Sequence, residues 1–322
     1  MVFKMKIIGF GKGIPARCVS NDDIAQFLDT SDEWIFTRTG IKTRYVCTTE
    51  TLTDLSVTAA NGALEDAKLN PDDIDLIICA TLGGDYGTPS LSCCIAEGIG
   101  AKCPCFDVNA ACTGFIYALE LASGFISSGK AKNVLIVSAE MMSAKTDWSD
   151  RNTCVLFGDG AAGCVVTAGN AVKYINLSSA AMPNSTVLNM PNGTGNSPFT
   201  KEQKSSGFLH MQGQEVFKFV VNIVESELKL VQERTGLSPA QIDLFLLHQA
   251  NKRIIDFTGA KLKQPPEKFP CNIQRYGNLS SASIPLLLFE TVKSGQIKPG
   301  DTLLLCAFGA GLTAGTCVIV WE

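Results

Sequence analysis

The chain has 322 residues, 46% hydrophobic and 18% charged, enough apolar content to bury a large core and too much for a disordered chain. Its net charge of −4 argues against a general nucleic-acid binder, so any anionic partner has to find a local basic patch. No apolar run approaches the roughly 18 residues of a membrane span, and residues 1–9 read as an opening strand rather than a signal peptide; a cytoplasmic protein with no membrane partner is expected.

Ser20 caps a short amphipathic helix, and Ser31-Asp32-Glu33 caps a second that ends at Gly40. On the second, Trp34 and Arg38 stand four apart and share a face. A helix over 55–67 leads to a buried strand over 74–81 and the glycine-rich stretch 82–87. Residues 103–108 form another short strand. Beyond it Phe115, Leu119, Ala122 and Ile126 recur at helical spacing, with Ile116, Ala118 and Leu121 on other faces, so this helix is buried nearly all round until Ser127-Ser128-Gly129 stops it. A strand over 134–139 follows. Pro, Asn, Gly and Ser dominate 183–207, which reads as a long, mobile surface loop. Then come a helix over 214–235, a strand over 244–247, helices over 251–263 and 283–294, and strands over 302–306 and 316–321.

Cys112 falls at the corner between the 103–108 strand and the buried helix. Free backbone N–H groups and the positive end of the helix dipole favour an anion there, and a thiolate is both an anion and a nucleophile. The same stretch is equally compatible with one more small buried residue among thirteen cysteines. Several others lie in apolar runs (Cys79, Cys164, Cys306, Cys317), as suits reduced thiols. With only two histidines and no second paired-cysteine set, Cys93-Cys94 and Cys103-Pro104-Cys105 are not expected to hold a metal.

The chain also repeats itself. Leu69, Pro71, Ile74, Asp75 and Leu76 match Leu237, Pro239, Ile242, Asp243 and Leu244 at one offset, which also pairs 135–137 with 303–305 and lays Cys112 over Ser280. Ala162-Gly163-Cys164-Val165 matches Gly315-Thr316-Cys317-Val318 at another. An α/β protein of two duplicated halves, 1–170 and 171–322, packed with corresponding helix N-termini converging, accounts for these matches. In that arrangement His248, at the end of strand 244–247, and Asn278, just before helix 283–294, come to the same kind of corner as Cys112.

Asn109-Ala110-Ala111-Cys112-Thr113-Gly114, Asp150-Arg151, Phe157-Gly158-Asp159-Gly160, Met211-Gln212-Gly213, His248-Gln249-Ala250-Asn251, Gly277-Asn278 and Phe308-Gly309-Ala310-Gly311 together resemble the beta-ketoacyl-acyl carrier protein synthase III family, of the thiolase superfamily, over essentially the whole chain. The resemblance implies a layered α-β-α-β-α fold and a Cys112, His248, Asn278 triad. It implies an oxyanion hole of the Cys112 and Ala310 N–H groups; members commonly carry glycine at the latter position, but only the backbone donor is needed. It implies acyl-CoA as substrate, no permanently bound cofactor, malonyl-acyl carrier protein as partner, and a homodimer. CoA would contact Trp34, Arg38, Arg151, Gly213 and Asn251, its adenine between the faces of Trp34 and Arg151. Lys218 and Arg253, ahead of Lys252 and Lys261, would dock the carrier protein. Thr88 would close the partner's primer pocket, unless neighbours such as Leu91 or Phe157 already do so. A thiolase would need a second cysteine near Gly309-Ala310-Gly311-Leu312, an elongating synthase a histidine in place of Asn278, and a papain-like hydrolase its own cysteine signature. The alternative left standing is a related Cys-His-Asn condensing enzyme of secondary metabolism acting on a non-carrier acceptor.

Overall fold

The computed structural model describes residues 5–179, 184–191 and 207–322. The elements run β1 (Met5–Gly13), β2 (Arg17–Ser20), α1 (Asn21–Ala25), α2 (Asp32–Thr39), β3 (Thr43–Val46), α3 (Leu52–Ala67), β4 (Leu76–Ala80), α4 (Leu91–Ile99), β5 (Cys105–Val108), α5 (Gly114–Ser127), β6 (Asn133–Met141), β7 (Asp159–Ala168) and β8 (Val172–Ser179). After β9 (Leu188–Asn189) and β10 (His210–Met211) come α6 (Gly213–Thr235), β11 (Leu244–Leu247), α7 (Lys252–Leu262), α8 (Ile273–Tyr276), α9 (Ser283–Lys293), β12 (Thr302–Gly309) and β13 (Thr313–Val320). The loop expected over 183–207 lies mostly outside the described residues; the described part of it carries β9, which pairs with β10 beyond its end.

Two sheets carry the molecule. The first has the order β1-β7-β6-β4-β5 and the second β11-β12-β13-β8. In the first, β4 runs parallel to β6, β6 antiparallel to β7, and β7 antiparallel to β1; β11, β12, β13 and β8 repeat that pattern in the same order. Alternating side chains of each strand face opposite ways, and this sorts the core into layers. Leu76, Ile78, Val134 and Ile136 of the first sheet and Leu246, Leu303 and Leu305 of the second meet α5 and α9 in the centre. Ile77, Leu135 and Val137 turn outward onto α3 and α4, and Phe245, Leu304 and Val318 onto α6 and α7. The result is the α-β-α-β-α sandwich. It explains why Phe115, Ile116, Ala118, Leu119, Ala122 and Ile126 of α5 are buried, but the helix is not enclosed all round as its sequence suggests: Leu121 is exposed and Glu120 is only partly covered.

The sheet registers correct one alignment made from sequence. Leu76 sits opposite Val134, whereas its counterpart Leu244 sits opposite Leu303 rather than Thr302. The offset between the halves therefore grows by one residue after the first pair of strands. The short 3-10 turns Ala111–Thr113 and Ser280–Ala282 superpose in sequence order ahead of α5 and α9, so Ser281, not Ser280, is the counterpart of Cys112. Ser280 matches Ala111, and both take the left-handed conformation, with φ of 49° and 47°. The second match is right: Cys164 lies across from Ile136, as Cys317 does from Leu305.

On β1, Gly9, Gly11 and Gly13 answer to α3. A Cβ at Gly11 would lie 2.0 Å from the Ala59 carbonyl oxygen, and one at Gly13 the same distance from that of Leu55. The glycine stripe is thus the groove into which α3 settles.

Candidate active site

The two left-handed corners bring the N-termini of α5 and α9 face to face. The Cys112 Sγ donates to Ser280 Oγ at 3.5 Å, and the Thr113 and Thr313 hydroxyls meet at 3.1 Å. Behind the thiol runs the end of β12. A Cβ at Gly309 would stand 2.9 Å from the Cys112 backbone nitrogen and 3.3 Å from its Cβ, so glycine is what allows this strand end to abut Cys112. Ala310 follows at once and lines the same cavity, of about 190 Å³, as Cys112, His248, Asn278 and Phe157. The Cys112 and Ala310 backbone segments therefore flank one space.

His248 leaves the end of β11, where its N–H donates to the Cys306 carbonyl at 2.9 Å. Its ring packs edge-on against Phe308, with centroids 5.3 Å apart. Both ring nitrogens are buried and have no hydrogen-bond partner among the described residues. Burial pushes the imidazole down to about 3, so it is neutral at ordinary pH. Asn278 is held from both sides: its N–H donates to Leu156 O at 2.8 Å and its carbonyl accepts from Gly158 N–H at 3.2 Å. Its Oδ1 accepts from Ser280 N–H at 2.8 Å, which fixes the amide orientation and leaves Nδ2 as the donor. Gly277 before it has φ 66°, and a Cβ there would lie 2.8 Å from Leu156 O. The Gly277-Asn278 pair is thus a steric requirement of the clamp.

The thiol itself is less acidic than its helix position suggests. Burial pushes Cys112 up to about 12, with the Ser280 hydroxyl pulling the other way and the charge of Glu140 adding to the rise. Desolvation is the largest of these effects, so the resting group is a thiol. Glu140 is the residue that sequence reasoning passed over. It closes the apolar strand 134–139 and is fully buried. It accepts from Ser281 Oγ at 2.7 Å, Ser280 Oγ at 3.1 Å and Leu82 N–H at 3.1 Å. Burial pushes its carboxyl up to about 7. A lone acid at the end of an otherwise apolar strand was the available signal.

Around the rim, Trp34 is covered by the guanidinium groups of Arg38 and Arg151, 4.3 and 4.7 Å from the ring centroid. Arg151 also donates to Asp29 O at 2.7 Å. The guanidinium thus rests in the slot expected for a base. Asn251 caps α7, accepting from Arg253 N–H, and its Nδ2 donates to the Arg38 carbonyl at 3.0 Å, which ties α2 to α7. Gly213 opens α6 and lines the cavity. Lys218, Lys252 and Lys261 are paired with Glu215, Asp256 and Glu225, whereas exposed Arg253 has no carboxylate partner among the described residues. Thr88 is exposed and does not line the cavity of its own chain; Phe157 does.

Comparison with known proteins shows the family and the fold. Residues 106–183 match the family model of 3-oxoacyl-[acyl-carrier-protein] synthase III, and 232–321 match the model of its C-terminal part. The beta-ketoacyl-[acyl-carrier-protein] synthase III of Clostridium perfringens is 44% identical over 319 residues, covering 98% of each chain. The crystal structure of the Aquifex aeolicus synthase III superposes with a TM-score of 0.91 at 42% identity, covering 98% of this chain and 100% of that one. The priming beta-ketosynthase of a polyketide pathway superposes with a TM-score of 0.90 at 32% identity, covering 100% and 98%. The chain belongs to the beta-ketoacyl-[acyl-carrier-protein] synthase III family of condensing enzymes.

Proposed function

We infer that the protein catalyses the decarboxylative condensation of an acyl-CoA primer with malonyl-acyl carrier protein, giving a 3-oxoacyl-acyl carrier protein and initiating fatty acid synthesis. The observation that carries this reading is the meeting of a thiol with two neutral donors, neither hydrogen-bonded to a partner among the described residues, in one apolar cavity. Cys112 attacks the thioester carbonyl, and the tetrahedral oxyanion is held by the Cys112 and Ala310 N–H groups. CoA departs. Malonyl-acyl carrier protein then binds, and loss of CO2 places negative charge on its thioester oxygen. His248 and Asn278 Nδ2 donate to that oxygen, and the neutral imidazole suits donation rather than strong-base work. The enolate carbon attacks the acyl group on Cys112 and releases the product.

Acyl-CoA acts here as a substrate, with no permanently bound cofactor. Its adenine stacks on Trp34 once Arg151 swings outward to form the other face, and Arg38, Gly213 and Asn251 line the path inward. Arg253 and Lys218 dock the acidic carrier protein. The chain works as a homodimer: β5 pairs on one side only among the described residues, an open edge that suits a second copy, and Thr88 reaches across to the partner's primer pocket. Thirteen free thiols suit a reducing cytoplasm. No described helix is long and apolar enough to cross a membrane.

The likeness to a polyketide priming synthase favours a second reading, the same chemistry in secondary metabolism. Condensation assayed with malonyl-acyl carrier protein, malonyl-CoA and small nucleophiles decides between them. Turnover confined to the carrier-bound substrate supports the first reading; preference for a non-carrier acceptor overturns it.

A further inference from the structure

The acylation of Cys112 leaves one proton unassigned. The thiol must lose it to attack, and His248 and Asn278 serve as donors in the later step. The only polar side-chain contact of Cys112 Sγ among the described residues is Ser280 Oγ, at 3.5 Å, with the thiol donating. The Ser280 hydroxyl in turn donates to Glu140 Oε1 at 3.1 Å. One hydroxyl therefore joins a thiol to a fully buried carboxyl, with the donors pointing in a single direction. The second Glu140 oxygen is fixed by Leu82 N–H, and Ser281 Oγ also holds Oε1, so the carboxyl is aimed by three protein groups.

We propose that Glu140 is the positioning residue that stores the proton of Cys112, through Ser280, for as long as the cysteine is acylated. The inference rests on the acylation of Cys112 proposed above. In the first half-reaction the thiol proton passes to Ser280 Oγ while the Ser280 proton passes to Glu140 Oε1. The sulfur electron pair forms the new C–S bond, and the bond to CoA breaks, with CoA leaving as a thiolate that solvent protonates. Glu140 is then neutral beside a neutral thioester. In the second half-reaction the malonyl carboxylate leaves as CO2, the enolate carbon bonds to the acyl carbon, and Cys112 departs as a thiolate. It recovers its proton from Glu140 by the same path, and the carboxylate is restored. Charge balances in each half. Burial and mutual repulsion support the exchange, because a buried thiolate and carboxylate oppose one another and a single negative charge is shared between them.

The groups facing Glu140 are Cys112, Cys79 on β4, whose thiol burial holds well above the usual range, and Lys145 after β6, whose positive charge favours the carboxylate. The test is the pH dependence of Cys112 alkylation by iodoacetamide, followed by peptide mass spectrometry, beside single-turnover acylation by acyl-CoA. It is run on the wild type, Glu140→Gln and Ser280→Ala. In the wild type the alkylation rate rises to neutral pH and levels off, because exchange between thiol and ionised carboxylate is independent of pH. In both variants the plateau is lost and the rate climbs about tenfold per pH unit, as for a thiol ionising to solvent. A wild type without a plateau, or either variant keeping one, overturns the proposal; so does a uniform rate loss with the profile unchanged, the mark of a merely structural role. If Glu140→Gln fails to fold, Ser280→Ala alone decides, since it leaves the carboxyl held by Ser281 and Leu82. A wild type that alkylates with a plateau but is not acylated by acyl-CoA sinks the proposed function instead, and leaves the exchange standing.

Discussion

Replacing His248 or Asn278 by alanine separates the two half-reactions. Neither side chain is hydrogen-bonded to Cys112, whose sulfur contacts Ser280, so acyl-enzyme formation should stay within a few-fold of wild type in both variants. Condensation should not. In the proposed mechanism each residue offers one donor to the developing enolate oxygen inside a buried cavity, and loss of such a donor costs about 10²- to 10³-fold in rate, or roughly 2.7–4 kcal/mol. The double variant should lose less than the product of the two, since both donors serve one oxygen. Burial keeps the imidazole neutral down to about pH 3, so condensation should show no histidine titration between about pH 5 and 8. Intact-protein mass spectrometry after acyl-CoA addition reads the first step, and release of CO2 from malonyl-acyl carrier protein reads the second. Acylation lost in parallel with condensation in His248→Ala would refute the division of labour, as would an acyl adduct persisting in Cys112→Ala.

Charge reversal at Arg253, and less so at Lys218, which Glu215 already offsets, should raise KM for malonyl-acyl carrier protein while leaving acyl-CoA transacylation nearly unchanged; added salt should mimic the change, and equal losses with both substrates would count against docking. Gly309→Ala puts a methyl 2.9 Å from the Cys112 nitrogen, so the nucleophile must shift; acylation should fall tenfold or more and stability by about 1–3 kcal/mol, and a wild-type acylation rate would contradict the close approach. Thr88→Phe should confine the dimer to short primers without slowing turnover of acetyl-CoA, because threonine leaves room where each buried CH2 contributes about 0.8 kcal/mol; a chain-length profile indifferent to the change would assign the limit to Phe157 or its neighbours. His248 has a folded pKa below its unfolded value, so acid favours the unfolded chain, and the stability present above about pH 6.5 drains as pH falls towards 3. Melting temperatures of wild type and His248→Gln should therefore converge or cross on acidification, and a constant gap would refute it.

Strand β11 and the inner face of α5 were legible because their apolar patterns are unambiguous: Leu244–Leu247 is an uninterrupted run, and Phe115, Leu119, Ala122 and Ile126 recur at helical spacing. Strand β8 was not, because Lys173, Asn176, Ser178 and Ser179 interrupt its apolar residues. The element α4 was missed, although Ser90 caps it, because Leu91–Ile99 carries Cys93, Cys94 and Gly98 in place of strong helix formers. The repeat was readable, but its register was not. One extra residue between the second pair of strands is invisible to matching of short apolar runs, where leucine follows leucine, and only the hydrogen-bonded ladders place Leu244 against Leu303. The acidity of Cys112 was misjudged for a similar reason. Sequence reveals the helix N-terminus but not how much protein covers it, and burial carries the larger effect.

Burial also gives the site its common logic. It moves each of three titratable groups towards its uncharged form: the thiol upward, the carboxyl upward and the imidazole downward. A cavity prepared this way suits the proposed reaction, which brings its own negative charge, first as a tetrahedral oxyanion and then as an enolate, because no described carboxylate engages its donors. The repeated strand pattern explains how one chain meets both needs. Each half contributes a left-handed corner at the start of a central helix. One corner presents a thiol to the cavity, and the other presents serines that reach Glu140 beneath it. The first half thus supplies both nucleophile and carboxyl, while the second supplies the hydroxyl between them and the donors opposite. Neither half alone holds a pathway for the proton, which is why the site lies where the two helix N-termini meet.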